Sequence, residues 1–134
     1  MPQITIKDMV YNYSPDDVLT FSEGLIGFPE IRDMVLVGMD GLEPFCWLAS
    51  PANEAERFVV VEPELFFESY EPFAATNEER MRTLAIVKVS QDWQNTTVNL
   101  RAPLRIDATT RRAEQVILSD ASYKFSQLLA QKLN

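Results

Sequence analysis

The sequence contains no histidine and only one cysteine, Cys46, among its 134 residues. Histidine is the commonest general base and the commonest transition-metal ligand, so its absence excludes Ser-His and Cys-His nucleophilic pairs. One thiol cannot form an internal disulfide or a cysteine zinc site. Cys46 stands between two aromatic residues, a position typical of a buried small side chain. We therefore expect no catalytic residues, no metal and no cofactor.

Glycine is also scarce, and two of the four glycines, Gly24 and Gly27, fall in the stretch FSEGLIGFPE at 21–30. A phosphate-binding P-loop needs a Lys and a hydroxyl residue after its last glycine, and a dinucleotide loop needs three glycines before a helix. Here Phe and Pro follow Gly27, and Glu23 and Glu30 would repel a phosphate. The stretch therefore predicts a turn that needs positive φ or close backbone approach.

The chain lacks any apolar run near the ~18 residues that would span a bilayer. Its start lacks the cationic end and long apolar stretch of a secretory signal. We expect a cytoplasmic protein without a membrane partner. A length of 134 residues with 46% hydrophobic residues suits one domain with one core, over residues 1–134.

Positive charge is scarce in the first part of the chain. The net charge is −8, and residues 1–79 hold 16 acidic and 3 basic side chains whereas residues 80–134 hold 4 and 9. An acidic surface repels nucleic acid and steers toward cationic proteins, although acidity also serves solubility alone. The arginines of the second part lack interleaved aromatic residues, so no direct nucleic-acid binding is expected.

Short β-rich runs recur along the chain, and several alternate apolar and polar residues. They are QITIK (3–7), VLTFS (18–22), MVLVGM (34–39), PFCWLAS (44–50), RFVVV (57–61), TLAIVKVS (83–90), TTVNL (96–100), PLRIDA (103–108) and AEQVILS (113–119). Asp40-Gly41 and the TTRR sequence predict hairpin turns.

The remaining segments predict helix. Short helical turns are expected at 63–69 and 77–82. The tail changes period, with Phe125, Leu128, Leu129 and Leu133 at helical spacing after a capping Ser119 or Asp120. The predicted fold is mainly β: an antiparallel barrel or sandwich in one domain, with short helical turns and a C-terminal α-helix.

The stretch EPELFFESYEPF at 62–73 combines acidic and aromatic residues. One interpretation is an ordinary short helix with one buried face. The other is a partner-binding surface, because aromatic residues anchor interfaces and a charged rim steers association. In the second case the aromatic anchors must be exposed. The candidate partner-binding residues are Glu62, Glu64, Phe66, Glu68, Tyr70, Glu71 and Phe73.

Several segments in order resemble the flagellar assembly factor FliW family. FSEGLIGF is similar to its N-terminal signature, and PFCWLAS and RFVVVEP to its following blocks. TVNLRAPLRI (97–106), QVIL (115–118) and Tyr123 resemble its C-terminal half. Two departures are Ala49, where many members have Gln, and the absence of an expected Gly in the RRAEQ hairpin turn.

The resemblance implies a cytoplasmic bacterial protein without catalysis. FliW proteins bind CsrA, a small RNA-binding dimer with a basic surface, and stop it from repressing flagellin translation. They also bind flagellin, which displaces CsrA, so the pair forms a partner switch. We expect the same two partners here, and a monomer.

Two other function classes stay open. Glu62–Glu64 and Glu78–Glu79 could serve a small carboxylate-dependent enzyme or a ligand-binding barrel, although sequence neighbours do not show two carboxyls facing one cleft. Either would need a deep polar pocket with convergent acids. A structural subunit of a larger assembly would need a broad apolar patch and a stable oligomer.

Overall fold

The computed structural model of the chain describes residues 2–74 and 78–131. Strands dominate these residues, and short 3-10 helices occur at Pro15–Asp17, Pro63–Leu65 and Trp93–Asn95. The strands are β1 (Gln3–Ile6), β2 (Met9–Asn12), β3 (Leu19–Phe21), β4 (Asp33–Gly38), β5 (Cys46–Ala49), β6 (Arg57–Val61), β7 (Met81–Lys88), β8 (Thr97–Val98), β9 (Leu104–Asp107), β10 (Arg112–Gln115) and β11 (Gln127–Leu128).

Seven strands close into a barrel in the order β7-β6-β5-β4-β3-β10-β9, and the pairing of β9 with β7 completes the ring. All neighbours in the ring are antiparallel except β3 and β10, which run parallel. Closure pairs the strand edges that an open sheet would expose. The predicted mainly β fold is confirmed; of its two alternatives, barrel or sandwich, the structure has the barrel, with β3 and β10 as a parallel pair.

The long strand β7 joins the barrel to an extension. Met81–Leu84 pair with β9, while Val87 and Lys88 pair with β8, which in turn pairs with β11. One edge of β7 thus serves two partners in succession. The extension covers the outer face of β6 and β7 rather than the barrel interior.

Alternation along the strands divides the apolar residues between the barrel interior and its outer face. Buried side chains from alternate positions fill the interior, and Leu25 and Ile31 from the loop between β3 and β4 pack against them. The interior set is Leu19, Phe21, Met34, Leu48, Val60, Leu84, Leu104 and Ile106. Among the described residues the interior is therefore apolar, unlike the polar pocket that a ligand-binding barrel needs.

Two further clusters cover the outside of the barrel. The β1–β2 hairpin places Ile4 and Ile6 against Val35 and Ala49 on the outer face of β4 and β5. The second cluster joins the outer face of β6 and β7 to the segment after β6 and to the C-terminal segment; its buried members are Val61, Phe67, Tyr70, Ala85, Val87, Val98, Leu100 and Leu129.

The predicted C-terminal α-helix is wrong for the described residues. Residues 119–131 form turns and β11, with Gln127 and Leu129 buried and Leu128 exposed between them. This alternation has the two-residue period of a strand. The backbone N–H of Leu129 donates to the carbonyl of Thr96 beside β8, as in a pair of neighbouring strands. Leu133, which completed the helical pattern, lies outside the described residues.

Three local predictions have different outcomes. A helical turn within 63–69 is confirmed, since Pro63–Leu65 form a 3-10 helix. In the predicted turn at 77–82, residue 77 lies outside the described residues, and residues 81–82 already belong to β7.

Asp40-Gly41 does connect two antiparallel strands, but only Gly41 has positive φ, at 79°. The reason is that the connection spans residues 39–45 rather than two residues.

Within residues 2–74 and 78–131, no helix has the length and apolar character needed to cross a bilayer.

Candidate protein-binding surface

The glycine-containing loop after β3 uses its backbone donors within the protein. The N–H of Gly24 donates to the carbonyl of Phe21, and Leu25 and Phe28 exchange hydrogen bonds of 3.1 and 2.7 Å. The N–H of Ile26 donates to the side-chain oxygen of Gln115 at 2.8 Å. A phosphate site needs such groups pointing at the ligand, so the loop does not have the geometry of a nucleotide site.

Gly24 meets both conditions that favour glycine. Its φ is 69°, and a methyl group there would lie 2.5 Å from the carbonyl oxygen of Pro29 and 2.7 Å from that of Phe28. Gly27 has φ 84° but open space around it. The stretch therefore turns the chain back over the end of the barrel.

The predicted partner-binding residues lie where the chain leaves β6. Glu62, Glu64, Glu68 and Glu71 are all exposed on this segment. Pro63 is buried and begins the 3-10 helix, so it fixes the direction in which the segment leaves the barrel. The structure thus gathers the four carboxylates on one short surface segment.

Of the three predicted aromatic anchors, Tyr70 does not meet the condition of exposure. Its side chain is 3% exposed, and its hydroxyl donates to the carbonyl oxygen of Leu100 at 2.6 Å. Its ring meets that of Tyr123 edge to face, with centroids 4.9 Å apart. Burial raises the pKa of Tyr70 well above its usual value. Tyr70 therefore holds the segment against the barrel and is not exposed as an anchor would have to be.

Phe66 is half-buried and belongs to a row of aromatic rings on the outer face of the barrel. Its centroid lies 5.7 Å from that of Phe45, which lies 5.9 Å from that of Trp93. Trp93 is 47% exposed, and Leu65 beside Phe66 is 59% exposed. The row offers a partner large apolar side chains next to the carboxylates.

Phe45 and Trp93 also belong to this surface, although their local sequence does not place them there. Their separation along the chain hides their proximity, because Phe45 precedes β5 and Trp93 follows β7. The available signal was weak: Asp92 before Trp93 is a turn-capping residue, and its carboxylate accepts the N–H of Gln94.

Phe73, the third predicted anchor, is half-buried beneath the Arg105 guanidinium, 4.9 Å from its ring centroid. It borders a cleft of about 540 Å³ between the segment after β6 and the start of β7. Carboxylates dominate the charged lining: Glu62, Glu64, Glu71, Glu78 and Glu79, with Arg82. We call the exposed carboxylates of 62–71, this cleft and the aromatic row the acidic surface.

The carboxyl groups with clearly shifted pKa values, Asp107 and Asp120, have lowered pKa values, whereas a general acid needs a raised one. The backbone N–H of Thr110 holds the pKa of Asp107 below its usual value, and a hydrogen bond from the Ser122 hydroxyl does the same for Asp120. In the part of the chain that the structure describes, no group of three or more candidate metal ligands comes together.

Cys46 lies near the acidic surface, and its surroundings disfavour the thiolate. Burial and then the Glu62 carboxylate raise the pKa of its thiol. The thiolate is the reactive form, so both influences suppress nucleophilic chemistry at this position.

Comparison with known proteins identifies the family. A family model described as "FliW protein" matches residues 5–129, nearly the whole described barrel and its extension. The chain belongs to the FliW family.

Curated FliW relatives are similar over most of their length. The flagellar assembly factor FliW of Bdellovibrio bacteriovorus is 35% identical, with 88% of this chain and 73% of the relative covered. That of Clostridium botulinum is 30% identical, with 90% and 92% covered. A crystal structure of the flagellar assembly factor FliW matches with a TM-score of 0.83 at 30% identity, covering 95% of this chain and 96% of that one.

The structure also explains how this chain accommodates its two departures from the FliW pattern. Arg111, in the hairpin turn where a Gly was expected, takes φ 63° and forms an ion pair of 3.6 Å with Asp17. Ala49 is buried against Ile4 and Ile6 of the β1–β2 hairpin. Both departures are local, and the barrel is unchanged.

Proposed function

We propose that this FliW-family protein is a non-enzymatic cytoplasmic regulator that binds CsrA and flagellin alternately. Bound to CsrA, it prevents repression of flagellin translation; free flagellin displaces CsrA and restores repression. The protein itself binds neither nucleic acid nor membrane and acts as a monomer. The acidic surface is the observation that carries this proposal.

The acidic surface suits a cationic partner in two ways. Its exposed carboxylates at 62–71 create a negative field that accelerates encounter with a basic protein. The aromatic row of Phe66, Phe45 and Trp93 supplies apolar contact area beside that field. Large rings with a charged rim are typical of binding anchors.

The first experiment measures association with purified CsrA by stopped flow at several salt concentrations. Steering between opposite charges predicts an association rate that falls steeply as salt rises from about 0.05 to 0.5 M, because the Debye length shortens. A rate that does not change with salt would remove electrostatic steering from the mechanism.

The second experiment locates the surface by charge reversal. Glu64→Lys with Glu68→Lys should lower the association rate by about tenfold or more, since rim charges act mainly on that rate. The matched control, Glu23→Lys with Glu54→Lys, makes the same change in net charge at exposed positions after β3 and before β6, and should change the rate by about threefold or less. Equal losses in both variants would move the interface off the acidic surface.

The third experiment tests the switch itself. Immobilised wild-type protein loaded with CsrA should release it when purified flagellin is added in excess. Retention of both partners on the same protein would contradict alternate binding. Failure to capture either partner at low ionic strength would contradict the proposed function as a whole.

A further inference from the structure

A second, chemically different surface lies at the end of the barrel where β6 begins. An apolar groove of about 210 Å³ runs between the loop after β3 and the segment after β10. Its lining includes Ile26, Phe28, Phe58, Ile117 and Phe125, and it shares no residue with the acidic surface. We call it the mouth groove.

The apolar residues of the mouth groove are unusually accessible. Ile26, Phe28, Ile117 and Phe125 come from three separate segments, and each is between 45% and 59% exposed. Single exposed apolar side chains are ordinary, but several that converge on one concave site are typical of a binding surface. Asn99, Ala102 and Gln115 also line the groove, and none of the described residues that line it is charged.

Contacts within the protein hold the walls of the mouth groove together. The side chain of Gln115 accepts the N–H of Ile26 at 2.8 Å and donates to the carbonyl of Ala102 at 3.0 Å, which ties the loop wall to the opposite wall. Phe28 also meets Phe58 edge to face, with centroids 5.9 Å apart. A preformed site avoids the entropy cost of ordering its walls upon binding.

Cations border this groove in a protein whose net charge is −8. The Arg101 guanidinium lies 5.4 Å from the centroid of the Phe125 ring, and exposed Lys124 precedes Phe125. Lys88 lies on the same face of β7 as Ile86, a lining residue, because the two are separated by one position. Acidic residues also lie nearby: Asp120 offsets part of the Arg101 charge, as its lowered pKa indicates, and exposed Glu23 and Glu30 belong to the loop that forms one wall of the groove.

We propose that the mouth groove binds a segment of a partner protein that carries large apolar side chains with acidic residues beside them. The apolar side chains enter the groove, and the carboxylates face Lys88, Lys124 and Arg101. The basic partner suited to the acidic surface is disfavoured here by charge repulsion. The protein thus has two docking surfaces of opposite charge preference.

A peptide library displayed on phage tests this without assuming a partner. Selection on the immobilised full-length protein should enrich peptides with two or more large apolar residues and an excess of Asp and Glu. Enriched peptides should bind the Ile117→Asp variant at least tenfold more weakly. The matched control is Val10→Asp, at a similarly exposed apolar position on β2, and should bind them within about twofold of wild type.

Charge preference is tested on the strongest selected peptide. Lys88→Glu with Lys124→Glu should weaken its binding severalfold, and raising salt should do the same. No enrichment, enrichment of basic peptides, or equal binding to the Ile117→Asp variant would each overturn the proposal. A wild-type dimer in light scattering that Ile117→Asp converts to a monomer would make a second copy of the chain the occupant, and would also overturn it.

Discussion

Replacing Gly24 with alanine tests how the loop after β3 is built. The substitution adds one methyl group to a residue with φ 69°, where that group would lie 2.5 Å from the Pro29 carbonyl oxygen and 2.7 Å from that of Phe28. Both neighbours are backbone atoms, which cannot rotate away as a flexible side chain would. Gly27→Ala and Gly38→Ala provide controls, because a methyl group at either position meets no atom within 4 Å.

The three substitutions separate two contributions to stability. At Gly27, with φ 84°, the left-handed backbone costs an L-residue roughly 1–2 kcal/mol, offset by about 0.4–1 kcal/mol from the reduced entropy of the unfolded chain. At Gly24 the same balance applies, and overpacking adds about 1–3 kcal/mol. We expect losses of about 0.5–1 kcal/mol for Gly27→Ala and about 1.5–4 kcal/mol for Gly24→Ala. Gly38→Ala has no steric penalty, so it should stabilise by a few tenths of a kcal/mol to about 1.

The assay is urea denaturation followed by the fluorescence of Trp47 and Trp93. With a urea m-value of about 2 kcal/mol/M, a loss of 3 kcal/mol lowers the midpoint by about 1.5 M. A domain stability of about 5–15 kcal/mol leaves all three variants folded in water. If Gly24→Ala lost no more stability than Gly27→Ala, the close approach of the Pro29 carbonyl would not constrain the loop. If Gly38→Ala lost as much as Gly27→Ala, the argument from positive φ would fail.

Three further predictions concern single side chains. Tyr70→Phe removes the donor to the buried carbonyl of Leu100, so the same titration should show a loss of about 1–3 kcal/mol; an unchanged midpoint would contradict this. Arg111→Gly and Arg111→Ala both remove an exposed ion pair, but only glycine adopts the positive φ without strain. The glycine variant should therefore be more stable than the alanine variant by about 0.5–1 kcal/mol. Equal denaturation midpoints would refute this reasoning. Burial and then Glu62 raise the pKa of the Cys46 thiol, so iodoacetamide should alkylate the native protein at pH 8 more slowly than free cysteine. Glu62→Gln should speed the reaction. An opposite order of rates would show that the carboxylate does not act on the thiol.

The barrel could be predicted because its strands carry local signals. RFVVV and PLRIDA have the length and β-branched content of strands, and β6 and β9 lie within them. The hairpin between β9 and β10 was also predicted, since polar residues separate two apolar runs. Its turn nevertheless uses Arg111 with φ 63°, which a search for glycine would not find.

The strand β2 could not be predicted because its signals are missing. Met9 and Val10 are both exposed, so apolar and polar residues do not alternate there. The turn before β2 is formed by Lys7 and Asp8, with φ 49° and 69°. Two positive φ angles are usual in the turn of a two-residue hairpin, but the sequence that normally predicts such a turn is Asn-Gly. The packing of Ile4 and Ile6 on the barrel therefore stabilises a turn that its own residues disfavour.

The acidic part of the candidate surface could be predicted, and the aromatic part only partly. Every glutamate between 62 and 71 is exposed, as expected from its charge. Which ring faces outward depends on distant partners: Tyr70 is buried because its hydroxyl reaches the carbonyl of Leu100, 30 residues away. Trp93 joins the surface through Phe45, with about a third of the chain between them. Such contacts belong to the closed barrel and leave no local pattern.

The geometry of β6 explains how one small barrel can present two surfaces with opposite charge preference. Phe58 near the start of the strand lines the mouth groove, and Glu62 directly after its end lines the acidic cleft. Four residues of extended chain separate them by about 13 Å. Exposed charges farther apart than the Debye length, about 8 Å at physiological salt, are largely screened from each other. At physiological salt a partner docked at one end of β6 should therefore respond mainly to the nearer charges. At low salt, where the Debye length reaches about 30 Å, the charges of both ends should act on it and the two preferences should oppose each other.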